Sequence, residues 1–403
     1  MVKKFVFDLS APQQQAPDGG GDWIGSGGIK TVMAANDSLH AALNACKNQI
    51  TRHHHERNWD RYKRFTNEYE LVFTSSAEFP GVASHKPISR SFFKLWELLH
   101  DHGAEMFAGA PTAVRAMFLA EGPGGFMESF AKFRSERGFG DGDELHGITL
   151  LSKSRGVPCW KLPGSGRRYV IHRGADGTGD LYNVRNIDHM IEEVGERSCH
   201  FVTADGGFDF SGDFNNQEEA SMRLVLCEAY CALRLQAPGG CFMLKVYDLH
   251  AAATMRILYA LRSAYARVRI VKPLTSRPAN SEKYVLCTGF AGATTQVEAA
   301  MRSAVIATTV CRQTNACVCA SLKAAQVMPS AFVGDVVRFN TYYVSRQISY
   351  IGRTLSLIED DGGNQRVARA ARMRLQLCKA VRWCHKYGIR ASIEALRKYA
   401  GAM

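Results

Sequence analysis

Between residues 110 and 290 short apolar runs alternate with amphipathic stretches, and that alternation is the strongest constraint on what this chain can fold into. An apolar run of five to seven residues is a strand buried on both faces. A helical stretch between two such runs carries the chain back across the sheet, so the strands run parallel. The strand candidates are AMFLA (116–120), HGITL (146–150), RYVIH (168–172), HFVTA (200–204), CFMLKVY (241–247), RVRIV (267–271) and YVLCTGF (284–290). The last two leave no room for a helix between them. Their connection, KPLTSRPANSEK, holds Pro273 and Pro278, which forbid regular structure, so this pair is expected to be antiparallel. The predicted class is α/β, a mostly parallel sheet that ends in an antiparallel hairpin.

Several residues in this region are costly unless they do chemistry. LAEGPGGF (119–126) falls where a strand ends and a helix begins, and its glycines let backbone approach a bound molecule with no Cβ in the way. The spacing Gly122, Gly124, Gly125 misses the G-x-G-x-x-G of dinucleotide sites. TADGGFD delivers Asp205 at the carboxyl end of a later strand, where ligands of open α/β sheets bind. Lys245 lies inside the apolar run FMLKVYD, an expensive place for an ammonium without a partner or a function. Glu282 comes from the hairpin loop beside Arg277 and Asn280, and Lys94 lies on the amphipathic stretch SRSFFKLWELL ahead of the first strand.

The ordered set Lys94, Asp205, Lys245, Glu282 resembles the Lys-Asp-Lys-Glu tetrad of the FtsJ-like ribose 2'-O-methyltransferases, over residues 89–290. The resemblance is closest to the branch that modifies messenger RNA caps. It rests on the PGGF loop, the G-x-T-L run at 147–150, the acidic turn GADGTGDLYN, the ADGGF motif and the TSRPANSEKYV stretch at 275–285. It implies a Rossmann-like S-adenosylmethionine methyltransferase core, with methyl transfer from S-adenosylmethionine to a ribose 2'-hydroxyl of capped mRNA. Methylation of ribosomal or transfer RNA is the nearest enzymatic alternative. A non-catalytic RNA-binding scaffold is the alternative from another class, and such a scaffold would be expected to have lost members of the tetrad.

The implied roles agree with the chemistry of the residues. A 2'-hydroxyl is a weak nucleophile and a sulfonium methyl is already activated, so alignment and removal of one proton are the main tasks. Lys245 is assigned as the base or as the group that orients the 2'-oxygen, with Lys94 lowering its pKa while Asp205 and Glu282 pull the other way. The resemblance gives Gly122, Pro123, Gly124, Gly125 and Phe126 to the cofactor, with Asp205. Asp180 is the acid that would contact adenosine, and Asp176 is second to it. Thr149 stands where many methyltransferases carry an acid for the ribose hydroxyls. Ser276, Arg277 and Asn280 would contact the acceptor RNA, although Arg277 is equally suited to a local ion pair. Trp23, Trp59, Tyr62 and Trp160 are available to stack on a cap, and sequence does not choose among them.

Outside this core, 50 Lys and Arg against 38 Asp and Glu leave a formal charge of +12, which favours a polyanionic partner over an acidic protein. RNA fits that charge, and a protein partner in a capping assembly is compatible with it. Residues 1–75 are expected to form a Gly-rich, loosely docked segment and then a helical extension from Asn36 to Glu70, with Asp37 or Ser38 as N-cap. The methyltransferase-like domain spans 76–294, and 295–403 forms a basic helical extension. GSGGIKT (25–31) is no phosphate loop, because no apolar strand feeds it. The twelve cysteines show no disulfide framework and no CxxC pair, so reduced thiols and no metal site are expected, even where Cys311, Cys317 and Cys319 cluster. MVKKFVFDLS is too short in apolar residues for a signal peptide, and no run approaches the ~20 apolar residues of a membrane span. The expectation is a soluble, intracellular protein.

Overall fold

All seven apolar runs are strands of one sheet in the computed structural model, which describes residues 6–9, 26–55, 58–74, 80–152, 157–162, 169–208, 210, 213–311, 313–360 and 366–402. In chain order the elements are β1 (Val6–Asp8), α1 (Ser26–His55), α2 (Asn58–Thr66), a 3-10 turn (Glu70–Val72), α3 (Ser91–Met106), β2 (Arg115–Leu119), α4 (Gly125–Ser135), β3 (Glu144–Ile148), β4 (Tyr169–His172), α5 (Val184–Val194), β5 (Cys199–Ala204), α6 (Gln217–Leu235), β6 (Gln236–Val246), α7 (Ala252–Ala264), β7 (Tyr265–Val271), β8 (Lys283–Phe290), α8 (Thr295–Val310), α9 (Thr314–Ala325), α10 (Ser330–Glu359), α11 (Arg366–Lys386) and α12 (Ile393–Ala402). The strand order is β1-β7-β8-β6-β5-β2-β3-β4. From β6 to β4 all neighbours are parallel, whereas β8 runs antiparallel to both β6 and β7. The hairpin expected at 267–290 is therefore present, and it inserts β8 beside β6.

Both faces of the sheet are covered, as a parallel sheet requires. Alternation splits the strand residues: Phe118, Phe201 and Met243 pack under α3, α4 and α11, while Val202, Leu244 and Val268 pack under α5 to α9. Helix α5 shows how local sequence fixes an element. The Asn183 side chain accepts from the Arg185 amide as an N-cap, Ile187, Met190, Ile191 and Val194 form the buried stripe, and Gly195 ends the helix at φ +95°.

Between β3 and β4 no helix is found among the described residues. The segment 157–162 covers that part of the sheet instead, with Trp160 lying across Gly147 and Gly124. A Cβ on Gly147 would stand 2.8 Å from the indole ring, so the glycine of the G-x-T-L run makes room for Trp160. Trp160 is thus a packing residue, and so are Trp59 and Tyr62, 3% and 1% exposed. Trp23 lies outside the described residues.

The extensions differ from expectation in three places. Helix α1 starts at Ser26, ten residues before Asn36, so Asp37 and Ser38 are interior; the Ser38 hydroxyl donates back to the Ala34 carbonyl at 2.9 Å. The Gly-rich run up to residue 25 lies outside the described residues, apart from Leu9 and the end of β1. Strand β1, too short to register as periodic, pairs antiparallel with β7. Cys311 and Cys317 are joined as a disulfide, whereas reduced thiols were expected; a separation of six residues brings them together across the α8–α9 turn. Cys319 stays free.

The extensions pack on the core. Leu43, Trp59 and Tyr62 interlock with Val344, Ile351 and Leu355 of α10, and Trp383 of α11 and Tyr387 just past its end pack in the same cluster as Phe93 and Trp96 of α3. No helix among the described residues is long and apolar enough to cross a membrane.

Candidate active site

The register of the sheet explains why distant residues meet. Lys245 is the next inward-facing residue after Met243 on β6, it lies opposite Tyr284 of β8, and its parallel neighbour β5 ends one residue before Asp205. Lys245 Nζ donates to the Asp205 carbonyl at 2.6 Å and pairs with Asp205 Oδ1 at 3.3 Å, and Tyr284 donates its hydroxyl to the same Oδ1 at 2.8 Å. Helix α3 brings Lys94 over the same end of the sheet, where Nζ pairs with Glu282 Oε2 at 2.6 Å. The four side chains form two ion pairs, each about nine-tenths buried.

Electrostatics tie the two pairs together. Burial alone would lower the Lys245 pKa, but Asp205, Tyr247, Glu282 and Glu228 outweigh it and hold the ammonium well above its ordinary value. The opposing pull expected of Asp205 and Glu282 is among the dominant influences, and Lys94 is not among the largest ones. Burial would likewise raise Glu282, yet Lys94, Lys245 and Lys272 keep it below the usual carboxylate range.

Three residues that sequence alone does not single out hold this arrangement. Glu97, one turn after Lys94 and fully buried, accepts from the Leu274 amide (2.7 Å), the Thr275 amide (3.2 Å) and hydroxyl (3.1 Å), and the Trp383 indole (3.0 Å). Lys272 donates to the Asn280 carbonyl, Asn280 Oδ1 and the Glu282 carbonyl at 2.9, 2.7 and 2.6 Å. Glu121, inside the glycine-loop motif, accepts from the Thr203 hydroxyl through Oε1, while its buried Oε2 has no partner among the described residues. Burial, reinforced by Asp205, holds its carboxyl well above the ordinary range. A glutamate between an apolar strand and a glycine turn was the available signal.

The glycine loop follows β2. Gly124 has φ +111°, and a Cβ on Gly122 would fall 2.3 Å from the Pro158 carbonyl oxygen, so both positions require glycine. Thr149 Oγ1 accepts from the Gly122 amide at 3.4 Å, and the Leu151 amide donates to the Thr178 carbonyl at 2.7 Å. The loop, Thr149 and the acidic turn are thereby stitched into one rim beyond the strand ends. In that turn Asp176 is consumed by Thr178, Asn183 and Asn186, which hold it well below the carboxylate range, whereas the Asp180 carboxylate accepts only the Tyr182 amide among the described residues. Gly122 and Pro123 stay partly exposed on the rim, whereas Gly124 is buried under Trp160. Phe126 is buried too: it is 1% exposed and packs on Tyr284, supporting the loop from below. Gly125 is buried against Ser91 and Ser89.

The hairpin-loop residues also resolve. Ser276 is buried and donates to Glu282 Oε1 at 2.8 Å. Arg277 closes both prongs of its guanidinium on Glu70 at 3.0 and 2.7 Å, which is the ion-pair alternative. Asn280 is fixed by Lys272 through Oδ1.

A match to the family described as FtsJ-like methyltransferase covers residues 87–290, half of the chain. A Trypanosoma brucei brucei protein named cap-specific mRNA (nucleoside-2'-O-)-methyltransferase 1 is 33% identical over 242 residues, 57% of this chain and 64% of its own length. A Danio rerio protein of the same name is 36% identical over 177 residues, 42% of this chain and 21% of that protein. A Drosophila melanogaster protein named cap-specific mRNA (nucleoside-2'-O-)-methyltransferase 2 is 32% identical over 235 residues, 55% of this chain and 31% of its own. The chain spans less than two thirds of each relative.

Proposed function

The chain belongs to the FtsJ-like methyltransferase family, and on that premise we propose that it methylates the ribose 2'-hydroxyl of cap-proximal nucleotides in mRNA. The observation that carries the reading is the convergence of Lys94, Asp205, Lys245 and Glu282 from four separate elements on one end of the sheet. The names of the relatives favour the cap over ribosomal or transfer RNA.

The feature that fits S-adenosylmethionine is the buried Oε2 of Glu121, which has no protein donor among the described residues and stands at the head of a glycine loop packed from outside by Pro158 and Trp160. When bound, that cofactor supplies an activated methyl on a sulfonium. Glu121 Oε2 would accept from its ammonium group, whose positive charge would replace the proton that burial and Asp205 favour on this carboxyl, the proton passing to solvent. The backbone at Gly122 to Gly124 and the start of α4 would hold its carboxylate, and Thr149 and Asp180 would meet the nucleoside.

Lys245 then acts on the acceptor. Its ammonium already has Asp205 as a fixed partner on two sides, and one N–H remains to hold the 2'-oxygen and stabilise negative charge as the hydroxyl proton passes to solvent water, since Lys245 is already protonated and cannot accept it. Lys94 and Ser276 hold Glu282, so the second carboxylate stays ionised and keeps Lys245 protonated. Arginine could not replace lysine, because its planar fork would not fit the Asp205 carbonyl, carboxylate and a ribose oxygen together.

The test is transfer of labelled methyl to matched short RNAs, one capped and one bearing a 5'-triphosphate, with nuclease mapping of the label. Label on a cap-adjacent ribose of the capped RNA alone is the expected result. Internal or equal labelling would assign the protein to general RNA 2'-O-methylation, and no labelling would favour a scaffold. Lys245→Ala is expected to lower turnover at least about 100-fold while cofactor affinity, read by calorimetry, changes less than about threefold.

A further inference from the structure

A cavity of about 180 Å³ lies on the far side of the loop that carries Glu282, at the seam between core and extensions. Ile50 of α1, Trp59 of α2 and Phe214 ahead of α6 form its apolar wall, and Gln217, Asn280 and Gln347 give it polar edges. Half of its lining, including Lys47, Ile50, Trp59 and Lys63, falls outside residues 87–290, so this cavity belongs to the chain's own extensions as much as to the family core.

Its size, charge and hydrogen-bonding capacity restrict the occupant. At roughly 30 Å³ per water the cavity holds about six, enough for one flat heterocycle and too little for a run of nucleotides. Among the described residues no carboxylate lines it, and its cations are matched from behind: Lys47 by Asp248 at 2.6 Å, Lys63 by Asp60, and Arg277 by Glu70. A cationic ring, such as an N7-methylated guanine, would find only like charge. A neutral ring would find aromatic and aliphatic surface plus amides able to donate and accept.

Gln347 Nε2 already donates to the Ala279 carbonyl at 3.3 Å and the Ser281 hydroxyl at 3.0 Å, but the other two amides are available. Gln217 is 9% exposed, lines the cavity, and its side-chain amide has no hydrogen-bond partner among the described residues. Asn280 accepts from Lys272 through Oδ1, which leaves its Nδ2 without a partner there as well. A buried amide (Gln217) and a half-buried one (Asn280) beside an apolar wall are the chemistry that reads the edge of an unstacked base. Asn280 is also joined through Lys272 to the backbone carbonyl of Glu282, so an occupant would touch the loop that carries this member of the tetrad.

We propose that this cavity binds one uncharged nucleobase of the transcript, next to the ribose that is methylated, and that the helical extensions thereby form part of the RNA site. The inference rests on the RNA reading above. A bound base would fix the register of the strand, so the cavity would select which ribose reaches Lys245.

The test is an abasic scan. Short capped RNAs, each with one nucleobase removed and its ribose and phosphate kept, are bound to the wild-type protein and to Gln217→Leu and Phe214→Ala, with fluorescence anisotropy as readout. One abasic position should weaken wild-type binding about tenfold and change the binding of both variants less than twofold. S-adenosylhomocysteine binding, measured by calorimetry on the same samples, should be equal in all three and reports that the variants are folded. If every abasic RNA loses the same factor in the variants as in the wild type, the proposal is overturned. Coupling that appears instead between Gln217 and the N7-methyl of the cap would overturn the uncharged occupant. Wild-type protein that binds S-adenosylhomocysteine and no RNA would overturn the RNA reading itself.

Discussion

Glu228 on α6 is a buried acid on the opposite side of the sheet from α3, and its carboxylate oxygen stands 2.4 Å from where a Cβ of Gly206 would be. Burial, with Asp205 adding to it against Lys245, pushes its pKa up to about 8 from an ordinary 4.5. The folded state therefore keeps a proton that the unfolded chain has released, and stability should fall as pH rises through that window. Chemical denaturation between pH 5 and 7.5 should show the loss, and Glu228→Gln should remove about 1.4 kcal/mol per pH unit of the slope. Equal slopes in the two proteins would mean that Glu228 is ionised in the fold. At this scale the tetrad was legible, because a lysine in an apolar strand and an aspartate at a strand end are anomalous wherever they occur. Glu97, Lys272 and Glu121 were not: each is an ordinary residue in its own neighbourhood, and only tertiary partners, such as Trp383 286 residues away, reveal it. The microscopic state of Lys245 was equally out of reach, because its protonation depends on which of four neighbours lies nearest.

Trp160 shows what a single segment can do in place of an element. A crossover helix would normally cover the face of β3, and the indole fills that space because Gly147 has no side chain. Gly147→Ala should cost about 1–3 kcal/mol in thermal or urea denaturation, since neither the ring nor the strand can retreat without disturbing Gly124 of the cofactor loop. Cofactor affinity should weaken with it, and unchanged affinity would separate Trp160 from the loop. The strands were readable from apolar runs because burial on both faces leaves an unbroken signature. The helix boundaries of the N-terminal extension were not, since α1 is polar over much of its length and is fixed by packing against α10. Strand β1 depends wholly on the β7 edge it covers.

Over the whole molecule the basic surplus and the helical ends work against a picture of appended modules. Arg374 and Arg382 are exposed on α11, whose inner face buries Ala380, Trp383 and Cys384. Replacing both arginines by glutamine should make RNA binding less steeply dependent on salt, the logarithmic slope falling by nearly one for each phosphate that an arginine had neutralised. A slope that does not change would leave that helix face solvated only. Trp383→Ala should lower global stability by about 3–5 kcal/mol in a single unfolding transition, because the indole is shared between α11 and the core under α3. Two separate transitions would mean that α11 unfolds by itself. The carboxylate of Glu97 has a consequence for any attempt to trim or graft this chain. It joins the amides of residues 274 and 275 to the indole of Trp383, so a cut after residue 290 would leave a buried anion one donor short beneath the loop that aims Glu282. The C-terminal helices are in that sense a clamp on catalytic geometry, and a fragment limited to the family core would keep the four tetrad residues while losing the part that sets their spacing.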